Sequence, residues 1–136
     1  MTTRREFLKG SLLTTSALAF GACTTTTKAV PQPFSGIVYT KSNPGKWSEK
    51  VGGNAPLIAV EKNRVTITTT HPMSQEHYIV RHTLVSADGK VLGEKTFYPS
   101  EPKAISTYEL PEKHSSEVYA TSFCNLHDLW VTEFKA

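Results

Sequence analysis

The chain has 136 residues, a net charge of +3, and 38% hydrophobic and 20% charged side chains. That is enough for one folded domain with a single core. Arg4, Arg5, Lys9 and Glu6 together carry most of the positive balance. The basic character is therefore no ground for a nucleic-acid partner, and none is expected.

At the N-terminus, Thr3-Arg4-Arg5-Glu6-Phe7-Leu8-Lys9 precedes an apolar stretch from Leu12 to Phe20. A charged head followed by an apolar run is the layout of an export signal, and paired arginines before Phe-Leu-Lys mark the twin-arginine route. The apolar run is too short to span a bilayer as a helix. It ends in Phe20-Gly21-Ala22-Cys23, laid out like a lipoprotein box, although Phe20 is bulkier than usual there. Residues 1–22 are thus expected to be removed, leaving Cys23 as the lipidated first residue. Residues 23–35 then form a polar tether holding a domain of residues 36–136 off the membrane. Simple cleavage would instead release a free periplasmic protein. Twin-arginine export carries proteins already folded, often with a cofactor in place, which hints at a metal.

Cys23 and Cys124 are the only cysteines. With Cys23 lipidated, Cys124 has no intramolecular partner in an oxidising compartment, where an unpaired thiol is buried, metal-bound or catalytic. Metal binding is the most economical of these.

From Gly36 onward the pattern is β throughout. Residues 37–40, 56–61, 64–70, 77–87, 91–98, 103–110, 117–123 and 129–134 are short runs rich in Val, Ile, Thr, Tyr and Phe. Turn signals separate them at Asn43-Pro44-Gly45, Gly52-Gly53-Asn54, Asp88-Gly89, Pro99 to Pro102 and Pro111 to Ser116. Asp88-Gly89 between two alternating runs is the clearest hairpin turn. No window keeps a helical period. The expected fold is all-β, an immunoglobulin-like β-sandwich of about seven strands, with a small closed barrel as the alternative.

Two clusters carry chemistry. His71 and His77 flank Pro72-Met73-Ser74-Gln75-Glu76, where Pro72 breaks the strand ladder and forces a loop. His71 should close one strand and His77 open the next, so both rings can turn toward one cavity; two exposed loop histidines is the bland reading. Strand alternation puts His77 and Ile79 on one face and His82 on the other, making His82 a structural or rim residue. His114 lies in a polar loop and should be solvated. Near the C-terminus, Phe123-Cys124-Asn125-Leu126-His127-Asp128-Leu129-Trp130 sets a cysteine three residues before a histidine in a bend. Phe123, Leu129 and Trp130 are expected to wall it off. A soft thiolate and imidazoles suit iron, zinc or copper rather than magnesium or calcium.

His71-Pro72-Met73-Ser74-Gln75-Glu76-His77 together with Cys124-Asn125-Leu126-His127-Asp128-Leu129-Trp130 closely resembles the superoxide reductase family, which includes neelaredoxin and the C-terminal iron domain of desulfoferrodoxin. The resemblance runs from about Pro56 to Phe134. It implies an immunoglobulin-like sandwich holding a mononuclear non-haem iron by four equatorial histidines and an axial cysteine thiolate, with the opposite axial position open to superoxide. By resemblance, His71, His77 and His127 are equatorial ligands and Cys124 the axial one. Superoxide is then the substrate, and hydrogen peroxide the product of its one-electron reduction.

The chain departs from the family pattern upstream. The fourth histidine of the family follows an E-K pair; here Glu49-Lys50 is followed by Val51-Gly52-Gly53-Asn54-Ala55-Pro56, four residues longer and without histidine. Whether Val51 or Asn54 stands in its place, one equatorial position is unfilled. In the family the lysine draws the superoxide anion and the glutamate closes the sixth position; Lys50 and Glu49 keep these roles if their loop still folds over the metal. Asp128 stands where the family has glycine, and Asp tolerates positive φ better than most residues. The alternative to an enzyme is a non-catalytic metal-binding (zinc or iron) or redox-sensing lipoprotein, since three histidines and one cysteine also suit tetrahedral zinc. An exported enzyme of this type needs an electron donor in the periplasm, which the sequence does not name, and a homo-oligomer is compatible with it.

Overall fold

The computed structural model describes residues 34–111, 114 and 116–136. The export signal, Cys23 and the tether up to Pro33 lie outside the described residues. Eight strands follow in order: β1 Val38–Tyr39, β2 Leu57–Glu61, β3 Arg64–Thr69, β4 Ile79–Ser86, β5 Val91–Thr96, β6 Ala104–Glu109, β7 Glu117–Cys124 and β8 Asp128–Lys135. They form a five-stranded sheet, β1-β8-β7-β4-β5, and a three-stranded sheet, β2-β3-β6. Only β1 on β8 is parallel; the other pairings are antiparallel. The all-β sandwich expected from the sequence is present, with eight strands.

Alternation drives the layering. In β3, Val65, Ile67 and Thr69 face inward, and in β7 Val118, Ala120, Ser122 and Cys124 do the same. Val65 and Ile67 of the smaller sheet meet Leu84, Val118 and Ala120 of the larger in the main core. Each such fully buried aliphatic side chain stabilises the fold by roughly 1.5–3 kcal/mol. At the site end, Ile79, Phe97, Ala104 and Cys124 form a second cluster, and Tyr39, Ala55 and Trp130 a third. The Asp88-Gly89 hairpin forms as expected, with Gly89 at φ +85° and the Ser86 N–H donating to the Lys90 carbonyl at 2.9 Å.

Two features differ from the sequence expectation. The turn read at Gly52-Gly53-Asn54 is instead helical: a 3-10 helix at Gly45–Lys50 runs into the single-turn α1, Val51–Asn54. Two such short turns leave no periodicity to detect. They form because Trp47 and Val51, four residues apart, both pack on the Tyr39–Trp130 cluster, so tertiary burial rather than propensity makes the helix. The second is in β4, which starts at Ile79 rather than His77. Its pairing with β7 slips between Ile79 and Arg81, and this bulge leaves Ile79 and His82 both fully buried. Simple alternation had put them on opposite faces. One extra residue in a ladder is enough to reverse that parity.

His82 is thus a core residue joining the two sheets. Its Nε2 lies 2.9 Å from Thr69 Oγ1 of β3, and its Nδ1 lies 2.8 Å from Ser106 Oγ of β6. The Thr69 hydroxyl in turn donates to Ser122 Oγ of β7 at 2.8 Å, and Phe97 closes over the imidazole edge to face at 4.8 Å. Burial, helped by the Lys95 charge, pushes the His82 pKa from 6.5 down to about 4. The unfolded chain therefore takes up a proton here as pH falls below the ordinary histidine value, while the folded chain does not. Stability should fall between pH 6.5 and about 4, with this residue contributing at most about 3 kcal/mol of the loss. His82→Gln should flatten that part of the profile in denaturant unfolding at a series of pH values. A slope as steep as in the unsubstituted protein would mean that His82 is not its source.

Candidate metal centre

His71, His77, Cys124 and His127 converge, each offering one ligand atom, all within 4.8 Å of one another. No further histidine, cysteine or carboxylate among the described residues joins them. Of the other histidines, His82 is held in the core network, and His114 pairs with Ser116 Oγ at 2.9 Å. Neither moves in to complete the set.

Each ligand is positioned by its own local structure. His71 lies two residues past the end of β3, and its Nδ1 lies 2.5 Å from the Pro72 carbonyl oxygen. A carbonyl only accepts, so Nδ1 carries the proton and Nε2 keeps its lone pair for the cluster. His77 sits in a tight turn where its N–H and carbonyl both bond back to Ser74. Cys124 ends β7, and a three-residue loop, residues 125–127, leads into β8. Asp128 then takes φ +64° opposite Cys124, the left-handed position such hairpins use. This is the strained position anticipated for Asp128.

The two halves of the site are stapled by Asn125. Its Oδ1 accepts from the Tyr78 N–H at 3.0 Å, and its Nδ2 donates to the Glu76 carbonyl at 2.9 Å. Those two bonds grip the residues on either side of His77. His127 is fixed from behind by Trp130, whose buried Nε1 donates to the His127 carbonyl at 2.8 Å. From the front Trp47 meets the His127 ring edge to face at 4.7 Å, and Trp47 Nε1 donates to Asp128 Oδ2 at 2.9 Å. Neither the Asn125 staple nor the Trp47 cover is assigned by sequence reasoning. The first shows only as a polar residue inside a motif, and the second depends on a contact 81 residues away in the chain. The expected apolar wall is also different: Trp130 is fully buried but Phe123 is 41% exposed, because Ser122 and Cys124 face inward and Phe123 between them must face out.

The electrostatics favour the neutral forms of His71, His127 and Cys124. Burial pushes the His71 pKa down, opposed by the Pro72 carbonyl and helped by His77 and His127. Burial, His77 and Lys50 lower that of His127, against Asp128. Burial raises the Cys124 thiol, while the backbone N–H groups of Leu126 and His127 act on its sulfur in the other direction. A cation is the charge this donor set lacks: it would deprotonate the thiol and take the free lone pairs.

Geometry narrows the choice of cation. His71 Nε2 and His77 Nε2 are 3.0 Å apart, and His77 Nε2 and His127 Nδ1 are 3.2 Å apart. The ring centroids are separated by 4.3 Å for His71–His77, 4.7 Å for His77–His127 and 6.3 Å for His71–His127. These sides make a nearly right-angled triangle with His77 at the right angle, so the rings stand at three corners of a square. Cys124 Sγ lies 3.6, 3.3 and 3.5 Å from the three nitrogens, close to equidistant, as an apex is from a base. Tetrahedral ligands would be evenly spread instead.

Lys50 and Glu49 are both exposed. Lys50 is close enough for its charge to act on His127; Glu49 makes no hydrogen bond or ion pair among the described residues. Val51 is taken up by the Tyr39–Trp130 cluster, whereas Asn54 is 2% exposed.

The desulfoferrodoxin family profile matches residues 49–133, and the chain belongs to that family. It is 34% identical over 80 residues to a desulfoferrodoxin homolog of Archaeoglobus fulgidus, a match covering 57% of this chain and 59% of the relative's length. Among solved structures it is similar to a superoxide reductase (neelaredoxin) from Ignicoccus hospitalis, with TM-score 0.67 and 25% identity over 76% of this chain and 96% of that one. It is also similar to the superoxide reductase from Treponema pallidum, with TM-score 0.52 and 26% identity over 62% and 69% of the two chains.

Asp128 combines a strained backbone with a useful side chain. Besides Trp47 it accepts an ion pair from Lys46 Nζ at 3.2 Å, so it anchors the 3-10 segment over His127. Asp128→Ala should lose the anchor and keep the positive φ, destabilising the protein by about 1–3 kcal/mol in denaturant unfolding. Asp128→Gly removes the strain with the anchor and should lose less. Equal losses in the two variants would mean that backbone strain contributes nothing here.

Proposed function

We propose that the protein is a mononuclear non-haem iron protein that reduces superoxide to hydrogen peroxide, and that His71, His77, His127 and the Cys124 thiolate would hold the iron. The observation that carries this reading is the right-angled placement of the three imidazoles with Sγ nearly equidistant from their nitrogens. That arrangement fits a square-based coordination and argues against the closed tetrahedral zinc site of a non-catalytic lipoprotein. The family and its superoxide reductase structures support the same chemistry.

Ferrous iron held there would supply the one electron that each superoxide needs, and two protons from water or an acid would complete hydrogen peroxide. The chain's own residues do the rest. Neutral imidazoles hold the ion without adding charge, and the Nδ1–H to Pro72 fixes the tautomer of His71. The N–H groups of Leu126 and His127 at the sulfur temper the thiolate and tune the potential. Lys50, whose charge reaches His127, would draw the superoxide anion toward the site, and Glu49 next to it in the chain would supply a carboxylate to the iron. Reduction of the ion between turnovers falls to a periplasmic electron donor. Export by the twin-arginine route, lipidation of Cys23 and the tether of residues 23–35 set the reaction at the membrane surface.

The first test is metal content and visible absorption of the protein purified without air and then oxidised. About one iron per chain with a thiolate-to-iron band that Cys124→Ser abolishes is expected. Zinc in place of iron, or no band, would return the site to the non-catalytic reading. On the iron form, Lys50→Ala should slow the second-order reaction with superoxide and flatten its salt dependence; an unchanged rate removes that role. Cys23→Ala should move the protein from the membrane to the soluble periplasmic fraction, and continued membrane association would exclude lipid at Cys23 as the anchor.

A further inference from the structure

The imidazoles of His71, His77 and His127 stand at three corners of a square, and the fourth lies opposite His77, between His71 and His127. No histidine, cysteine or carboxylate among the described residues supplies it. One other polar side chain is buried nearby without a complete set of partners. Asn54 is 2% exposed, and its Oδ1 has no hydrogen bond among the described residues. A buried amide oxygen left without a partner costs about 1–3 kcal/mol, so such atoms usually mark a missing ligand, ion or water.

Which end of the amide is free follows from its other bond. Asn54 Nδ2 donates to the Lys50 carbonyl at 2.9 Å. A carbonyl cannot donate, so nitrogen must face Lys50 and the oxygen must turn away from it. The position of Asn54 is bracketed from three sides. Gly53 lies against the Thr70 carbonyl, where a Cβ would stand 3.6 Å from the oxygen, and the next residue is His71. Ala55, next in the chain, packs in one cluster with Trp130, whose Nε1 holds the His127 carbonyl. Helix α1 also lies against β7, which ends in Cys124. The residue is therefore flanked by the neighbours of both histidines that border the fourth corner.

We propose that Asn54 Oδ1 is the fifth protein donor, completing a three-histidine, one-amide base over the Cys124 thiolate. This rests on the iron-site reading above and deepens it. A neutral oxygen adds no charge to the site, and it is a harder, weaker donor than the imidazole of a fourth histidine. It would bind ferric and ferrous iron with a different preference from imidazole, which gives this chain a different reduction potential from relatives carrying four histidines.

The test uses the full chain loaded with cobalt(II), whose d–d bands separate four- from five-coordinate ions without any turnover. The unsubstituted protein should show weak five-coordinate bands beside a thiolate-to-cobalt band. Asn54→Ala should convert them to the intense bands of a four-coordinate ion and weaken cobalt binding at least about tenfold, the loss typical of even an outer partner. Asn54→Asp keeps the oxygen and adds charge, so it should retain five-coordination and bind more tightly. Far-ultraviolet circular dichroism identifies any variant that fails to fold, and Asn54→Asp and Asn54→His still test the assignment if Asn54→Ala is one of these. Identical cobalt spectra for the unsubstituted protein and all folded Asn54 variants, with the thiolate band present, would overturn the proposal alone. Absence of the thiolate band in the unsubstituted protein would overturn the iron-site reading and the proposal with it.

Discussion

The site depends on one buried polar contact between the sheets. The Thr69 hydroxyl reaches Ser122 Oγ and His82 Nε2 together, and so ties β3 of the smaller sheet to β4 and β7 of the larger. Two residues beyond Thr69 is His71, and two beyond Ser122 is Cys124. Ser122 and Cys124 share a face of β7, and the His71 N–H bonds to the Thr69 carbonyl at 2.9 Å just past the end of β3. A contact inside the sandwich therefore sets the distance between the ligands at its mouth. Apolar packing alone would hold the sheets together but would tolerate sliding. Directional hydrogen bonds to both nitrogens of His82 specify one register, and the imidazole of His82 stays neutral because burial makes its protonation costly.

Around that frame, the ligands are gathered by bonds to their backbones rather than to their reactive atoms. Asn125 grips Glu76 and Tyr78 beside His77, and Trp130 holds the His127 carbonyl. Both leave every ligand nitrogen and the sulfur free to turn inward. Three imidazoles and a thiol within a few ångströms would repel if the rings were protonated, and burial suppresses that charge on His71 and His127. The donor set is thus assembled in the protonation states a cation can use, apart from the thiol proton, which the ion itself displaces.

Much of this was legible in the sequence. The strand runs follow from β-branched and aromatic residues between turn signals, and the four ligand residues lie in two motifs whose spacing carries their chemistry. What was not legible involves relations that a linear pattern does not encode. The bulge at Val80 reversed the parity that set His82 on the face opposite Ile79, and left it the structural one of the two roles, structural or rim, that the sequence allowed. The helix at Gly45–Asn54 exists because Trp47 and Val51 find Trp130 and Tyr39, far along the chain. Phe123, counted as part of a wall, faces solvent because Cys124 beside it must face in. Asn54 read as a turn residue and, with Val51, as one of two aligned with the absent histidine, but nothing in Gly-Gly-Asn signals that its amide will be buried with one end unpaired. The export signal and Cys23 remain inferences from motif alone.

The separation in sequence between the two ligand pairs has a consequence for the unfolded chain. His71 and Cys124 are 53 residues apart, and an ion bound to both would close that span as a cross-link does. For a covalent link, loops of this size restrict the denatured ensemble by roughly 3–5 kcal/mol. Cys124 is free, and no disulfide is present among the described residues. In a domain of this size, a bound ion would thus take the place a disulfide often fills, as a reversible staple whose strength follows the supply of metal. The same four side chains that set the chemistry would then also set how readily the domain opens.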